Sequence, residues 1–159
     1  MNTYEAASCM TADCLCFRAR RTARAITRLY DDALRPLGLQ ATQLTLLNAI
    51  AMGMARIGPT GAPMRLLADQ LAMDLTTMSR NLRPLEKAGL IVVDRQEGDR
   101  RVRVVRLAPA GEVRLVEALP RWREAHAKVV TALGEEGAIR LREGFDAAAR
   151  ATVAAAQGR

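Results

Sequence analysis

Residues 63–93 read PMRLLADQLAMDLTTMSRNLRPLEKAGLIVV, and this stretch decides the fold. Pro63 suits the start of a short helix that is expected to turn Leu66, Leu67, Ala68 and Leu71 inward. A tight turn is expected at residues 72–74. Asp74 is the expected N-cap of a second helix, because its carboxylate can accept a hydrogen bond from a backbone N–H of the first turn. Gly89 is expected to end that helix, since glycine readily adopts the left-handed conformation found there. Two short helices joined by a tight turn predict a helix-turn-helix.

The second of these helices has an apolar face and a polar, basic face. Leu75, Met78, Leu82 and Leu85 recur at helical spacing and are expected to share the face that packs on the core. The residues between them face solvent, where short polar side chains and arginines can reach base edges and phosphates in a DNA major groove. The candidate DNA-reading residues of this helix are Thr76, Thr77, Ser79, Arg80 and Arg83.

A charged hairpin follows directly. Residues 90–96 and 101–107 predict two strands, joined by a glycine-containing loop over residues 97–100. Arginines at the tip of such a hairpin suit the narrow, electronegative minor groove of DNA. A helix-turn-helix followed by a basic hairpin therefore predicts a winged helix that binds DNA. The candidate residues of the wing are Asp99, Arg100 and Arg101.

Helices and a loop precede this motif. The apolar spacing predicts a long amphipathic helix over residues 12–37, with Asp13 as its N-cap. A further helix is predicted over residues 42–52. Glycines and prolines cluster between residues 53 and 63, and this clustering predicts a loop.

The chain beyond Pro109 is predicted to be helical to residue 156, with a break at Gly134. An apolar stripe of near-heptad spacing extends from Leu115 to Leu133, and the last helix is rich in alanine. Both features need packing partners that one chain of 159 residues hardly supplies. The predicted fold class is mainly α with a small β-hairpin wing.

The composition favours a single DNA-binding domain. Half of the residues are apolar, which argues against disorder, and 24 basic residues face 17 acidic ones for a net charge of +7. Only Lys87 and Lys128 among the basic residues are lysines, and the planar fork of arginine pairs well with phosphate. The expected partner is double-stranded DNA. The alternative is a basic helical module that binds a protein, because a positive charge alone does not show whether the acidic partner is DNA or a protein.

Several other classes of protein are disfavoured. The first residues, MNTYEAASCMTADC, lack a basic segment followed by an apolar one, so we expect no signal peptide and a cytoplasmic protein. The most apolar stretch, residues 44–54, is too short to span a membrane. One histidine, no phosphate-cradling glycine loop and no paired carboxylates predict that the chain is not an enzyme and has no cofactor or metal.

These features together resemble the MarR family of winged-helix transcriptional regulators over nearly the whole chain. The departure is Ala108, where the family commonly has a threonine that caps the next helix. The segments that carry the resemblance are residues 66–68 (LLA), 79–80 (SR), 85–91 (LEKAGLI), 94–101 (DRQEGDRR) and 107–111 (LAPAG).

The resemblance implies a homodimeric repressor released from its DNA by an effector. The single domain, residues 1–159, would comprise a dimerisation region of about residues 10–40 and 110–157 and a winged helix-turn-helix of about residues 41–109. A two-fold dimer implies a near-palindromic operator. By position in the family, the recognition helix reads the major groove, Arg101 enters the minor groove and Asp99 holds that arginine in place.

Residues 14–17, Cys-Leu-Cys-Phe, add a second resemblance, to the organic-hydroperoxide-sensing branch of the same family. That resemblance implies that Cys16 is a reactive thiol and that Tyr30, fourteen residues later, is its partner across the dimer. Ala41 stands where that branch has a second tyrosine, so one hydrogen-bond donor to the thiolate is missing.

Two other interpretations of the cysteines remain open. Cys9, Cys14 and Cys16 together offer thiol ligands for a metal or metalloid, although two cysteines one residue apart on a helix point in different directions. Alternatively, Cys16 is a small buried hydrophobe and the other two have no role.

The resemblance also implies a site for a small anionic or phenolic effector, where the dimerisation helices meet the DNA-binding lobe. For His126, the only histidine, a structural place in the dimer interface is the alternative. For Trp122 the alternative is a place in the core. The residues expected to line the cleft are Arg28, Tyr30, Trp122 and His126.

Overall fold

The computed structural model describes residues 1–157. Its helices are α1 (Thr3–Asp13), α2 (Leu15–Leu34), α3 (Ala41–Ile57), α4 (Met64–Gln70), α5 (Leu75–Lys87), α6 (Pro109–Leu133) and α7 (Glu135–Gln157). Its strands are β1 (Ala62–Pro63), β2 (Ile91–Gln96) and β3 (Asp99–Leu107), and a 3₁₀ turn spans Arg35–Leu37. The prediction of a mainly helical fold with a small hairpin wing is confirmed.

The sheet is antiparallel with strand order β1-β3-β2. Val105 lies in its middle, paired with Ala62 of β1 on one side and Val93 of β2 on the other. Val105 and Ala62 are fully buried. The base of the wing is therefore anchored in the core, while its tip extends into solvent.

The hairpin turn is shorter than the sequence predicted. Glu97 and Gly98 alone form the turn, and Gly98 has a φ of 84°. The prediction that Asp99 and Arg100 belong to the loop is wrong, because both lie in β3. A glycine with positive φ allows the chain to reverse within two residues, so the strand begins earlier.

The helix-turn-helix is formed by α4 and α5. Asp74 is the N-cap of α5, and Gly89, with a φ of 69°, follows its C-cap, as predicted. The expectation that Leu66 points inward is wrong, because its side chain is 42% exposed. Met64, Leu67 and Ala68 have the spacing of one helical face and are buried, which leaves Leu66 on the opposite side.

The amino-terminal helix differs from the prediction. The helix expected over residues 12–37 is interrupted at Cys14, which separates α1 from α2. Cys14 has an extended backbone (φ −71°, ψ 106°), and its Sγ accepts a hydrogen bond from the Phe17 N–H at 3.3 Å. Cys14 is therefore the N-cap of α2, in place of Asp13. Asn2 and Glu5 form a capping box that starts α1.

The predicted loop over residues 53–63 is also shorter than expected. Helix α3 continues through Gly53 to Ile57, and β1 follows after four residues. A Cβ on Gly53 would lie only 2.6 Å from the Ala62 Cβ. Gly53 therefore serves the close packing of α3 against β1 and does not interrupt the helix.

A second glycine allows close packing at the start of α6. A Cβ on Gly111 would lie 1.9 Å from the Leu90 carbonyl oxygen, just before β2. Ala108, the N-cap of α6, makes no side-chain capping bond, although its N–H donates to the Leu90 carbonyl at 3.0 Å. The start of α6 is thus held against the wing by backbone contacts.

The apolar core lies in the middle of the chain. Buried side chains come chiefly from α3, α4, α5 and the sheet, and Leu34 and Ala118 join α2 and α6 to this core. Helices α1 and α7 contribute no buried residue among those whose burial is described. None of the helices within residues 1–157 has the length and apolarity needed to cross a membrane.

Candidate DNA-binding surface and the cavities beside it

The recognition helix α5 presents its polar residues to solvent. Thr76, Arg80 and Arg83 are exposed, and Thr77 and Ser79 are half-buried. The opposite face is anchored in the core by Met78, Leu82 and Leu85, which are at most 1% exposed. The expectation that Leu75 packs with them is wrong, because Leu75 is the first residue of the helix and is 45% exposed. The helix can therefore offer several polar side chains to DNA without disturbing its packing.

The amino terminus of α5 is held by Asp74. Its carboxylate accepts the Thr77 N–H at 2.7 Å and the Thr77 hydroxyl at 2.8 Å. These two hydrogen bonds, the backbone bond first, lower the pKa of Asp74 below its ordinary value. The Thr77 hydroxyl already has a partner in the chain, whereas Thr76 is exposed beside it.

The tip of the wing is organised by polar contacts to the backbone. Asp99 Oδ1 accepts the Arg101 N–H at 3.0 Å, and Arg95 Nη1 donates to the Arg100 carbonyl at 2.7 Å. Asp99 thus contacts the backbone of Arg101, and the Arg101 guanidinium remains in solvent. The exposed Arg100 and Arg101 side chains place two positive charges at the tip.

Arg103 is a residue of this surface that the sequence reasoning missed. Its Nη1 donates to Ser79 Oγ at 3.4 Å, so a strand of the wing contacts the recognition helix. In the sequence Arg101 and Arg103 are two residues apart, as residues on one face of a regular strand are. The pairing of β3 with β2 is irregular between them, because Arg103 pairs with Arg95 whereas Asp99 pairs with Gln96. The two-residue spacing was the available sequence signal.

An aromatic cluster lies between α2 and α6. The hydroxyl of Tyr30 is 3.1 Å from His126 Nδ1, and the His126 ring stacks on Trp122 with centroids 4.8 Å apart and planes 8° from parallel. Burial raises the pKa of Tyr30, because the phenolate would lose hydration there. Three of the four residues expected to line an effector cleft are thus in contact.

A cavity of about 590 Å³ opens beside this cluster, between α2, α3 and α6. Tyr30 and Trp122 line it, together with Leu44 and Asn48 of α3. Arg28 is exposed and does not line it, so the fourth expected residue lies apart from the other three. A second cavity of about 520 Å³ lies between α2, α6 and α7, and His126 lines that one.

The cysteines lie at the amino-terminal end. Cys9 and Cys16 are exposed, and Cys14 is half-buried at the start of α2. Cys16 is therefore not a buried hydrophobe within this chain. Tyr30 uses its hydroxyl for His126 rather than for Cys16 of the same chain. Over residues 1–157 no three histidine, cysteine or acidic side chains come together as a metal site, so the three thiols do not assemble one in a single chain.

Comparison with known proteins places the fold. No protein-family model and no curated protein sequence matches the chain. MosR of M. tuberculosis, a transcriptional regulator solved in complex with DNA, is 31% identical, with 90% of this chain and 98% of that chain covered and a TM-score of 0.77.

Two more distant solved structures share the fold. A cysteine-to-serine variant of E. coli MarR, complexed with operator DNA, is 18% identical over 87% of this chain and 96% of that chain, with a TM-score of 0.74. CouR of Rhodococcus jostii, bound to p-coumaroyl-CoA, is 20% identical over 87% and 93% of the two chains, with a TM-score of 0.69.

A helix-turn-helix with a polar, basic recognition helix and an arginine-tipped hairpin beside it defines a winged-helix DNA-binding transcriptional regulator. The proteins with this fold that match the chain are transcriptional regulators and not enzymes. The chain belongs to the MarR family.

Proposed function

We propose that the protein is a homodimeric repressor that binds a near-palindromic DNA operator and is released by a small molecule or by thiol oxidation. The observation that carries the DNA-binding part is the exposed polar face of α5 beside the arginine-tipped wing. Arg103 and Ser79 join the two across 3.4 Å. A helix of this kind fits the major groove, and the wing fits the minor groove.

Each candidate residue has a proposed role in that complex. Arg80 reads base edges, since the planar fork of arginine can bond guanine at two points. Arg101 enters the minor groove, with its backbone held by Asp99. The other candidates contact phosphates or neighbouring bases: Thr76, Thr77, Ser79, Arg83 and Arg100.

Exposed apolar side chains support the homodimer. Leu15 is 81% exposed, Val116 is 72% exposed and Phe145 is 44% exposed, on three helices outside the winged helix. Large apolar side chains left exposed on three packed helices are the kind of surface that an interface between proteins covers. We assign α2, α6 and α7 to the dimerisation region and residues 41–109 to the DNA-binding lobe. Sedimentation equilibrium should give twice the mass of one chain, and a mass of one chain would exclude the dimer.

Two release signals have support. The 590 Å³ cavity lies between α2 and α6 of the dimerisation region and α3, next to the helix-turn-helix, and one relative with this fold was solved with a bound acyl-CoA thioester. The second signal is oxidation. A hydroperoxide would convert the exposed Cys16 thiol to a sulfenic acid and release an alcohol. Condensation with the thiol of Cys14 or Cys9 would then form a disulfide and release water.

Fluorescence polarisation on the DNA upstream of the protein's own gene tests the proposal. We expect binding that weakens steeply as salt rises, because each phosphate contact releases counterions. A scrambled duplex of equal length is the control. Equal affinity for both duplexes would exclude sequence-specific reading, and salt-insensitive binding of a protein partner instead would favour a protein-interaction module.

The same titration separates the two release signals. If oxidation is the signal, treatment with an organic hydroperoxide abolishes DNA binding and Cys16→Ser is immune. Cys9→Ser and Cys14→Ser then identify the second thiol. Serine is a good N-cap, so Cys14→Ser keeps the start of α2 intact. Equal binding by reduced and oxidised protein would exclude the thiol signal and leave the cavity.

A further inference from the structure

The surplus positive charge of the chain is greatest on α2, outside the winged helix. Residues 15–30 contain five arginines and no acidic residue, whereas residues 62–107 contain nine basic and six acidic residues. On α6 and α7, seven basic residues face seven acidic ones. The largest share of the net charge of +7 therefore lies on a helix that the proposed reading of the operator does not use.

Four of these five arginines form one row on the outer face of α2. At about 100° of rotation per residue, they are turned by about 120–160° from Ile26, which lines both cavities beside α6. All four side chains are exposed. We call these residues the arginine row: Arg20, Arg21, Arg24 and Arg28.

The arginine row has no anionic partner among the described residues. None of its members takes part in a salt bridge within residues 1–157. Asp31, three residues from Arg28, accepts the Ala41 N–H at 2.7 Å. Asp32, four residues from Arg28, is paired with Arg35. The acids nearest to the row in the sequence are thus engaged elsewhere.

Two arginines of α6 and α7 show a different arrangement, with an acidic partner within about one helical turn. Arg121 lies 3.6 Å from Glu124, and Arg140 is paired with Glu136. In the arginine row the charged neighbours at this spacing are chiefly other arginines, and like charges at such positions destabilise a helix. Anions bound along the row would remove that repulsion, so the row has the character of a binding surface.

The phosphates of a DNA duplex fit this row. Arg20, Arg24 and Arg28 follow one another at four-residue steps, which correspond to about 6 Å along the helix. A DNA strand carries a phosphate about every 3.4 Å of its axis, so a duplex that lies along α2 offers each of these arginines a phosphate. The planar guanidinium fork can bond a phosphate at two points.

We infer that the arginine row is a second DNA-binding surface, which holds the phosphates of a duplex other than the one that the winged helix reads. The inference rests on the proposed function for its choice of polyanion. We expect a second chain to leave the row in solvent, because two rows of like charge would repel each other in an interface.

Polarisation titrations of the full-length protein on a scrambled duplex test the inference, in a background in which Arg80→Ala and Arg101→Ala weaken the winged helix. Adding Arg20→Gln, Arg24→Gln and Arg28→Gln should lower the affinity at least about tenfold at low salt. The slope of log K against log salt should fall by about one to three, because each phosphate contact contributes about 0.9. Unchanged affinity and slope overturn the inference, and an acidic protein is then the partner to seek.

Two matched sets of substitutions show whether the effect comes from the charge of this row. Arg20→Lys, Arg24→Lys and Arg28→Lys keep the charge and should keep most of the slope. The control set removes three charges from exposed arginines of α6 and α7 and should change neither quantity: Arg121→Gln, Arg123→Gln and Arg140→Gln. An equal loss in the control set would mean that net charge alone acts, which overturns the inference.

Capture of one duplex by another shows whether the row holds separate DNA. The wild-type protein is bound at low salt to a bead-held duplex from upstream of its own gene, and a labelled scrambled duplex is added. We expect the wild type to retain the labelled duplex and the variant with glutamine at three positions of the row to lose it. No retention by the wild type overturns the inference.

The preference for the upstream duplex over the scrambled one, measured on the same samples, keeps the two proposals apart. A protein that has this preference but captures no second duplex is a regulator without the inferred surface. A protein that captures a second duplex through the row but has no preference possesses the surface and is not the proposed repressor.

Discussion

Arg103 of the wing and Ser79 of the recognition helix contact each other, with Nη1 and Oγ 3.4 Å apart. The wing and the recognition helix are therefore connected by side chains as well as through the core. The contact reaches the helix at Ser79, the residue next to Arg80.

The contact between Arg103 and Ser79 should contribute to DNA binding. We expect Arg103→Ala and Ser79→Ala to weaken DNA binding, and the double substitution to cost less than the sum of the two, because both remove one contact. Polarisation titrations of the four proteins on one duplex measure the coupling. Arg106→Ala paired with Ser79→Ala is the control, since Arg106 lies on the other face of β3. Additive losses for Arg103 and Ser79 would contradict the prediction.

Arg80 and Arg101 should differ in how they affect specificity. Arg80→Ala should reduce the preference for the operator over a scrambled duplex by about 1–3 kcal/mol, because the major groove distinguishes all base pairs. Arg101→Ala should weaken binding to both duplexes alike, because the minor groove is degenerate. Titrations on the matched duplexes measure this difference. Equal and negligible losses for both variants would refute the assignment of helix and wing.

The packing glycines should not tolerate a methyl group. Gly53→Ala should destabilise the fold by about 1–3 kcal/mol, because the new Cβ overlaps that of Ala62 and the helix must move away. Gly111→Ala should cost more, since the obstacle is the rigid carbonyl of Leu90. Gly144→Ala is the control: α7 leaves open space there, and a stabilisation of about 0.5–1 kcal/mol is expected. Denaturant unfolding measures all three, and a neutral Gly111→Ala would contradict the prediction.

The uncapped start of α6 is a site where stability can be gained. Ala108 is the N-cap and makes no side-chain bond, so Ala108→Ser should raise the free energy of unfolding by about 0.5–2 kcal/mol. Ala110 is exposed and is the second residue of the helix, so Ala110→Ser should give no such gain. The comparison of the two melting curves shows whether the capping bond forms. A gain in both variants would point to another cause.

Asp74 should make the stability depend on pH. Its pKa is lowered in the folded state, so its contribution is complete above the ordinary value of 3.8 and is lost as the pH falls through the folded value. Asp74→Asn keeps an acceptor for the cap and removes the titration. We expect the wild type to lose more stability than this variant between pH 7 and a pH below 3.8. Parallel losses would show that Asp74 does not contribute.

Local signals in the sequence predicted the parts that position the candidate site. Asp74, Gly89 and the glycine-containing hairpin act through their own hydrogen bonds and backbone angles, so a few neighbouring residues suffice to recognise them. The polar face of α5 followed from helical spacing for the same reason. The capping box of Asn2 and Glu5 was also a local signal, and it was overlooked.

Other errors arose where a distant contact decides the role of a residue. Gly53 has the local signature of a loop, yet glycine is needed there because Ala62 packs against it. Only the fold brings these two residues into contact. Arg28 shares a helix with Tyr30 but is exposed and does not line the cavity. The contact between Arg103 and Ser79 likewise spans two elements, so only the strand alternation hinted at it.

The absence of buried residues in the described parts of α1 and α7 affects how the stability of the protein depends on its concentration. If a second chain covers these helices, the free energy that stabilises them comes from the association of the two chains. By mass action, this contribution to stability rises with protein concentration. The melting temperature should then rise as the sample is concentrated. At low copy number the regulator would lose its DNA through dilution alone, before any chemical signal arrives.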